Sequence, residues 1–338
     1  MLFASIIAFT FSALIVSVIL YFVKDIFVKK GYYGVDVHKP AAPKVAEMGG
    51  IVSSLVVIFA LAVTYFFIPL HARGFLDVFL SVFLFYTMLG LIDDLRGLRS
   101  RIKLPSSLFG GVLVVVLSYL FDARFYDPRP PFPFVGEVHN AGLFYVILVP
   151  VALAVTSNAF NMYDVYNGTL AFAATVNFLT LGVLVLLAGV AYYSALVSYF
   201  SFLLAGVSFG LYVVNRYPAK FFLGDTGSLS LGAAYGLIAV SGRLEVVSAV
   251  AILPMLMNGF LSFSSVGRIF ERHEVKQRPV MVNRGYISAN PNIGAPMSIA
   301  HILTSMRPLT EKEVILRYNL LTLLGTALAI ITFFLTPW

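Results

Sequence analysis

The sequence predicts an all-α integral membrane protein with about ten transmembrane helices, and three observations carry that expectation. Hydrophobic residues make up 59% of the 338 residues, charged residues only 12%, and the mean hydropathy is +0.91. A water-soluble domain has about a quarter charged residues. Apolar runs able to cross a bilayer recur near 2–23, 50–70, 75–92, 107–121, 143–157, 169–188, 193–213, 227–242, 246–266 and 315–336. The runs are continuous and do not alternate, which selects helices over a barrel.

The first run is too long for a signal-peptide core and lacks a small-residue cleavage pattern, so it reads as a retained helix. The second opens at Gly49–Gly50, and the third ends on Asp93–Asp94. The runs near 107–121, 143–157 and 227–242 are short and must extend at their ends or tilt little. Residues 1–338 read as one polytopic domain with a long loop, 267–314, and no internal repeat. Zero cysteines exclude disulfides and thiolate metal sites.

Orientation follows from Lys and Arg. One set of loops (24–49, 93–106, 158–168, 214–226, 267–314) holds 18 of them, and Arg317 makes 19, against 4 in the other set. Basic loops face the cytoplasm, so the first set is expected inside a cell membrane and both termini outside. The net charge of +7 is largely this signal and needs no nucleic-acid partner. The bilayer itself is the expected surrounding partner. Nothing in the pattern decides between a monomer and a homodimer.

The inward loops carry the chemistry. In the first, Glu47 precedes Gly49–Gly50, where backbone can approach a ligand closely. The second holds Asp93 and Asp94, then Arg96, Arg99 and Lys103 at helical spacing, a row fit for phosphate or for anionic headgroups. A helix-end charge cluster is the plainer reading. The third loop, TSNAFNMYDVYNG, has no Lys or Arg, and Asn158, Asn161 and Asp164 recur every third residue on one helical face. Such oxygen-rich side chains suit a hard cation such as Mg2+.

In the fourth loop Asp225 lies within GDTGS at a helix start, which serves as an N-cap or as a phosphate site. The fifth is basic (Arg268, Arg272, His273, Lys276, Arg278, Arg284) and long enough to be a substrate-binding element. Anionic lipid is the other partner such a loop could face. The outward stretch 122–142 is rich in Pro and Phe and reads as an interfacial cap.

All these groups fall on the inward side, although only Lys and Arg set the orientation. Carboxylates for a divalent ion beside basic groups for phosphate are the equipment of phosphoryl transfer. The motifs DD with Lys nine residues after the second Asp, NxxNxxDxxNG and GDTGS, in this order, resemble the polyprenyl-phosphate N-acetylhexosamine-1-phosphate transferases. Most similar are the archaeal and eukaryotic UDP-GlcNAc:dolichyl-phosphate GlcNAc-1-phosphate transferases. The bacterial phospho-MurNAc-pentapeptide transferase belongs to the same group.

The resemblance spans about Gly34 to His301. It implies transfer of a sugar 1-phosphate, GlcNAc-1-phosphate first, from a UDP-sugar to a polyprenyl (dolichyl) phosphate, with release of UMP. It further implies Mg2+, with Mn2+ able to replace it, held by Asp225 and Asn161. Asp93 and Asp94 would orient or deprotonate the lipid phosphate, and Lys103 would lie near the phosphates. Asp164 belongs to the same catalytic set and Asn158 to the substrate-binding one. Asn167 matches a uracil-contacting Asn and Glu47 a residue near the nucleoside. Arg272, His273, Lys276 and Arg278 stand in the substrate-binding loop. A lipid phosphate with a second pKa near 6 is mostly dianionic at neutral pH, which favours direct in-line attack over an aspartyl-phosphate step.

The chain departs from the family pattern twice. DVYNGTL has Val165 where Gly is usual, and RHEVKQRP replaces both the triple-His motif and the close HRxPR. The missing triple His argues for GlcNAc over the muramoyl substrate. Rival readings are the same reaction on another UDP-N-acetylhexosamine for surface polysaccharide, a secondary transporter, and a lipid-binding scaffold. A transporter predicts ionisable groups at helix midpoints and an inverted repeat.

Overall fold

A computed structural model describes residues 2–139, 141–267 and 277–338. Each apolar run is helical. In chain order these helices are α1 (Leu2–Lys29), α2 (Gly49–Tyr65), α3 (Leu70–Arg96), α4 (Ser100–Leu120), α5 (Gly142–Tyr163), α6 (Thr169–Ala188), α7 (Ser194–Asn215), α8 (Gly224–Ser241), α9 (Glu245–Ala251), α10 (Leu253–Val266), α11 (Ile299–Thr304) and α12 (Glu311–Phe334). Short antiparallel pairs join β1 (Tyr33–Val35) to β2 (Lys44–Ala46) and β3 (Pro131–Phe132) to β4 (Gly136–Glu137). A three-stranded sheet has β5 (Val280–Asn283), β6 (Tyr286–Ala289) and β7 (Leu309–Thr310).

Among the described residues, seven helices are long and apolar enough to cross a membrane, and the α9–α10 pair makes an eighth. The helix α2, at 17 residues, is shorter than those spans. With α2 and α8, ten helical segments among the described residues match the ten apolar runs, and up to eight of them have the length and apolarity of a full span. The molecule is an integral membrane protein. Side chains such as Phe3, Phe22, Phe59, Phe67 and Leu143 are exposed on its outside, as lipid-facing residues are.

The run near 246–266 does not form the single helix its apolarity predicts. It breaks at Ile252 with a 69° bend, because Pro254 has no N–H for the helical ladder and its ring crowds the preceding turn. The long loop 267–314 is also more ordered than its Asn, Pro and Gly content suggests. Its described part folds as the β5–β6 hairpin, α11 and β7.

At the centre stands α8, whose residues from Thr226 to Ser241 are all buried. It packs on α2, α3, α5, α6 and α7. Small residues allow this. A Cβ on Gly50 of α2 would lie 2.0 Å from the Gly227 nitrogen, so the two helices meet backbone to backbone. One end of α8 therefore sits where α2, α3, α4 and α5 also begin or end, and that convergence builds the polar site.

Candidate functional site at one end of the bundle

Three helices bring oxygen atoms to one positive charge. The ammonium of Lys103, near the start of α4, lies 2.6 Å from Asp93 Oδ2 at the end of α3. It also lies 3.7 Å from Asp225 Oδ2 at the start of α8, and it donates to Asn161 Oδ1 in the last turn of α5 at 3.3 Å. The Lys103 and Asp93 side chains are each 5% exposed, so this ion pair is held away from water. Asn161 turns its amide the other way, donating through Nδ2 to Asp225 and to Ser228 Oγ at 2.9 Å. Its carbonyl is thus aimed at the cation position by its own partners.

Asp94 is differently engaged. Its carboxylate accepts from the backbone N–H groups of Asp225 (2.6 Å) and Thr226 (2.9 Å) and from the Thr226 hydroxyl (2.5 Å). An anion at a helix N-terminus satisfies donors that have no partner within the helix. Gly224 makes room: a Cβ there would come within 2.9 Å of the Asp94 carboxylate, and its φ of +74° suits glycine. Of the paired aspartates, Asp93 therefore faces Lys103 while Asp94 fastens the GDTG turn to α3.

Asp164, at the end of α5, completes the carboxylate group. Burial first, then the negative charges of Asp225, Asp94 and Glu47, push its pKa up to about 7. Glu47 follows β2, and its Oε2 lies 3.3 Å from where a Cβ on Gly34 would stand, so the first loop packs closely here. Val165, in the position where Gly is usual, keeps an ordinary negative φ; the left-handed residue in this turn is Gly168, at +79°.

Not every sequence-predicted residue joins this cluster. Asn158 donates to Ser107 Oγ (3.1 Å) on α4 and to its own helix, a step away from Asn161. Asn167 is buried and donates to Asp36 and Glu311. Arg278 is exposed, and its carbonyl accepts from Asn290. Arg272, His273 and Lys276 lie outside the described residues.

Sequence reasoning missed Ser228, Thr226, Asp36 and Glu311. The first two are in the GDTGS motif and could have been flagged by helical spacing. Asp36 and Glu311 are too far apart in the chain for any spacing rule to pair them. The oxygen donors of Asp225, Asn161 and Asp93 are of the kind a hard cation takes, and the Lys103 contacts show that they converge.

Fold and site together define a polytopic membrane protein built around a carboxylate centre at one end of its helices. The sequence profile of Glycosyl transferase family 4 matches residues 75–243, half of the chain, and the protein belongs to that family. Over 85% of its length it is 26% identical to a candidate UDP-N-acetylglucosamine–dolichyl-phosphate N-acetylglucosaminephosphotransferase of Sulfolobus acidocaldarius, covering 84% of that protein. A Saccharolobus solfataricus protein of the same description is 26% identical over 69% of this chain and 70% of its own. A phospho-N-acetylmuramoyl-pentapeptide-transferase of a Geobacillus species is 32% identical over 60% of this chain and 63% of its own.

Proposed function

We propose that this protein transfers a sugar 1-phosphate from a UDP-sugar to a polyprenyl phosphate. An oxygen of the lipid phosphate attacks the sugar-linked phosphorus, the bond to the UMP oxygen breaks, and UMP leaves as a lipid-linked diphosphate sugar forms. UDP-GlcNAc and dolichyl phosphate are the first-choice substrates, in line with the descriptions of the archaeal relatives. The observation that carries the reading is the convergence of Asp93, Asn161 and Asp225 on the Lys103 ammonium, in a chain of this family.

Asp225 and Asn161 are the residues to hold Mg2+, or Mn2+ in its place. Bound there, the ion would neutralise charge on the diphosphate. Lys103 would exchange its contact with Asp225 for a phosphate oxygen while keeping Asp93. Asp93, through Lys103, orients the acceptor phosphate, and Asp94 holds the α8 N-terminus in place. Asn167 and Glu47 are assigned to the nucleoside side, from the family resemblance. The Lys and Arg distribution supports a cytoplasmic site and external termini.

The test incubates purified protein with Mg2+, dolichyl phosphate and a panel of UDP-sugars, and measures UMP. The expected result is lipid-dependent UMP release, fastest with UDP-GlcNAc. Folded protein that releases none from any sugar would overturn the enzyme reading.

A further inference from the structure

A second polar junction surrounds Asn167, whose residue is only 4% exposed. Its Nδ2 donates to Asp36 Oδ2 at 3.1 Å and to Glu311 Oε1, while its Oδ1 accepts from the Ala219 backbone N–H at 3.0 Å. Asp36 and Glu311 are themselves buried. The Lys39 ammonium is paired with Asp36 and lies 3.4 Å from Glu311, and it sits over the Tyr217 ring at 4.7 Å. Four segments meet here: the loop after β1, the α5–α6 turn, the α7–α8 loop and the start of α12.

A carboxamide has nearly the same shape in either orientation, so its partners decide which way it faces. Ionised carboxylates only accept, and a backbone N–H only donates. Rotating Asn167 by half a turn would set its carbonyl oxygen against two carboxylates and its NH2 group against the Ala219 N–H. Every one of the three contacts would become repulsive. As built, both amide hydrogens are taken, and what Asn167 has left is the second lone pair of Oδ1. Any further contact it makes is one in which it accepts.

Asp36, His38 and Glu311 also place ligand-type atoms within 4.8 Å of one another. The Lys39 ammonium already lies against both carboxylates and supplies the counter-charge there, so a metal ion would have to displace it. The orientation of the amide is the firmer consequence.

We propose that Asp36 and Glu311 are positioning residues that lock Asn167 as a hydrogen-bond acceptor and so make the nucleoside subsite selective for a base with a ring N–H. Uracil offers such a donor at N3, whereas cytosine presents an acceptor at the same place. The inference rests on the nucleoside-side reading of Asn167 given above. Neither carboxylate touches the base; each acts through the amide.

The test titrates UMP and CMP separately into the full chain in detergent with Mg2+, by calorimetry, for wild type, Asp36→Asn, Glu311→Gln and Asn167→Ala. Thermal melting confirms that each variant is folded, and the two near-isosteric carboxylate variants back each other up. Wild type is expected to prefer UMP, and each carboxylate variant to lower the UMP-to-CMP affinity ratio about tenfold, the scale of one directed hydrogen bond. Asn167→Ala should lower the ratio as well. A merely structural role would weaken both nucleotides equally and leave the ratio alone, and that result in both carboxylate variants overturns the lock. If Asn167→Ala itself keeps the wild-type ratio, the nucleoside role of Asn167 falls, and the lock falls with it.

Discussion

At the end of the bundle away from the site, Arg129 and Arg243 are matched against Asp127 and Glu137. At the site end the ammonium of Lys103 pairs with Asp93 and Asp225, while Asp94 is held by the α8 N-terminus and Asp164 faces the like charges of Asp225, Asp94 and Glu47. The far cluster is held by its own contacts, beside a cavity lined by Arg124, Asp127, Arg129 and Arg243. Arg243 donates to Glu137 Oε1 and to the Arg129 carbonyl, each at 2.6 Å, which ties the β3–β4 hairpin to the α8–α9 turn. A hydrogen bond from Arg129 holds the Asp127 carboxyl below its usual range, whereas burial and like charge push Asp164 up to about 7. A balanced cluster stabilises structure and needs nothing more. An unbalanced one retains negative charge that a cation would relieve, which is why the proposed metal is assigned to that end.

The sharpest way to break that contrast is Asp225→Ala. It should lower UMP release by about three orders of magnitude or more, because a ligand of the proposed metal would be lost. The melting temperature should stay near wild type, since a carboxylate is removed from a repulsive group. Wild-type turnover in this variant would contradict the metal assignment.

Next in size is Lys103→Met, which leaves Asp93 buried without its cation. Loss of about 3–5 kcal/mol is expected in metal-free buffer, read by denaturant unfolding, with Mg2+ restoring a large part. Arg243→Met at the far end should cost about 2 kcal/mol, less because Glu137 is a quarter exposed and can turn to water. Mg2+ should restore none of it. Equal rescue of both variants would erase the distinction between the ends.

The pH dependence has a definite sign. Asp164 is protonated below about pH 7 in the folded, cation-free protein and near 3.8 when unfolded. Its contribution to stability is therefore full below the unfolded value and declines as pH rises toward 7. A bound cation favours the ionised form, so apparent Mg2+ affinity should fall by up to about tenfold per pH unit below 7. Calorimetry at several pH values measures this, and a flat profile would argue that Asp164 stays clear of the cation.

The smallest effect is expected from Glu137→Gln. It should cost about 1 kcal/mol or less, as partly exposed pairs do, and leave turnover within about twofold.

Much of this arrangement was legible in the sequence. The apolar runs mark the helices because lipid demands continuous apolar faces, and Lys and Arg sort the loops into two sets. DD, NxxNxxD and GDTGS name the segments that meet, since Asp93, Asn161 and Asp225 all fall within them. What could not be read was the division of labour between adjacent residues. Asp93 and Asp94 look alike in sequence, yet one pairs with Lys103 and the other binds the α8 N-terminus, a difference set by which face of α3 each occupies.

Glu311 was hidden for another reason. It sits just after Thr310 in a helix start with a capping box, Thr310 to Glu313, which gives an acidic first turn a sufficient local explanation. Only its burial against Asn167 reveals more. The break at Ile252 was written in the sequence as Pro254, but the unbroken apolarity on both sides concealed it.

The most direct test of the account is Mn2+ binding, followed by electron paramagnetic resonance, in wild type, Asp225→Ala and Glu137→Gln. The account predicts one site in wild type, kept in Glu137→Gln and lost in Asp225→Ala. An Asp225→Ala titration that overlays wild type would contradict it.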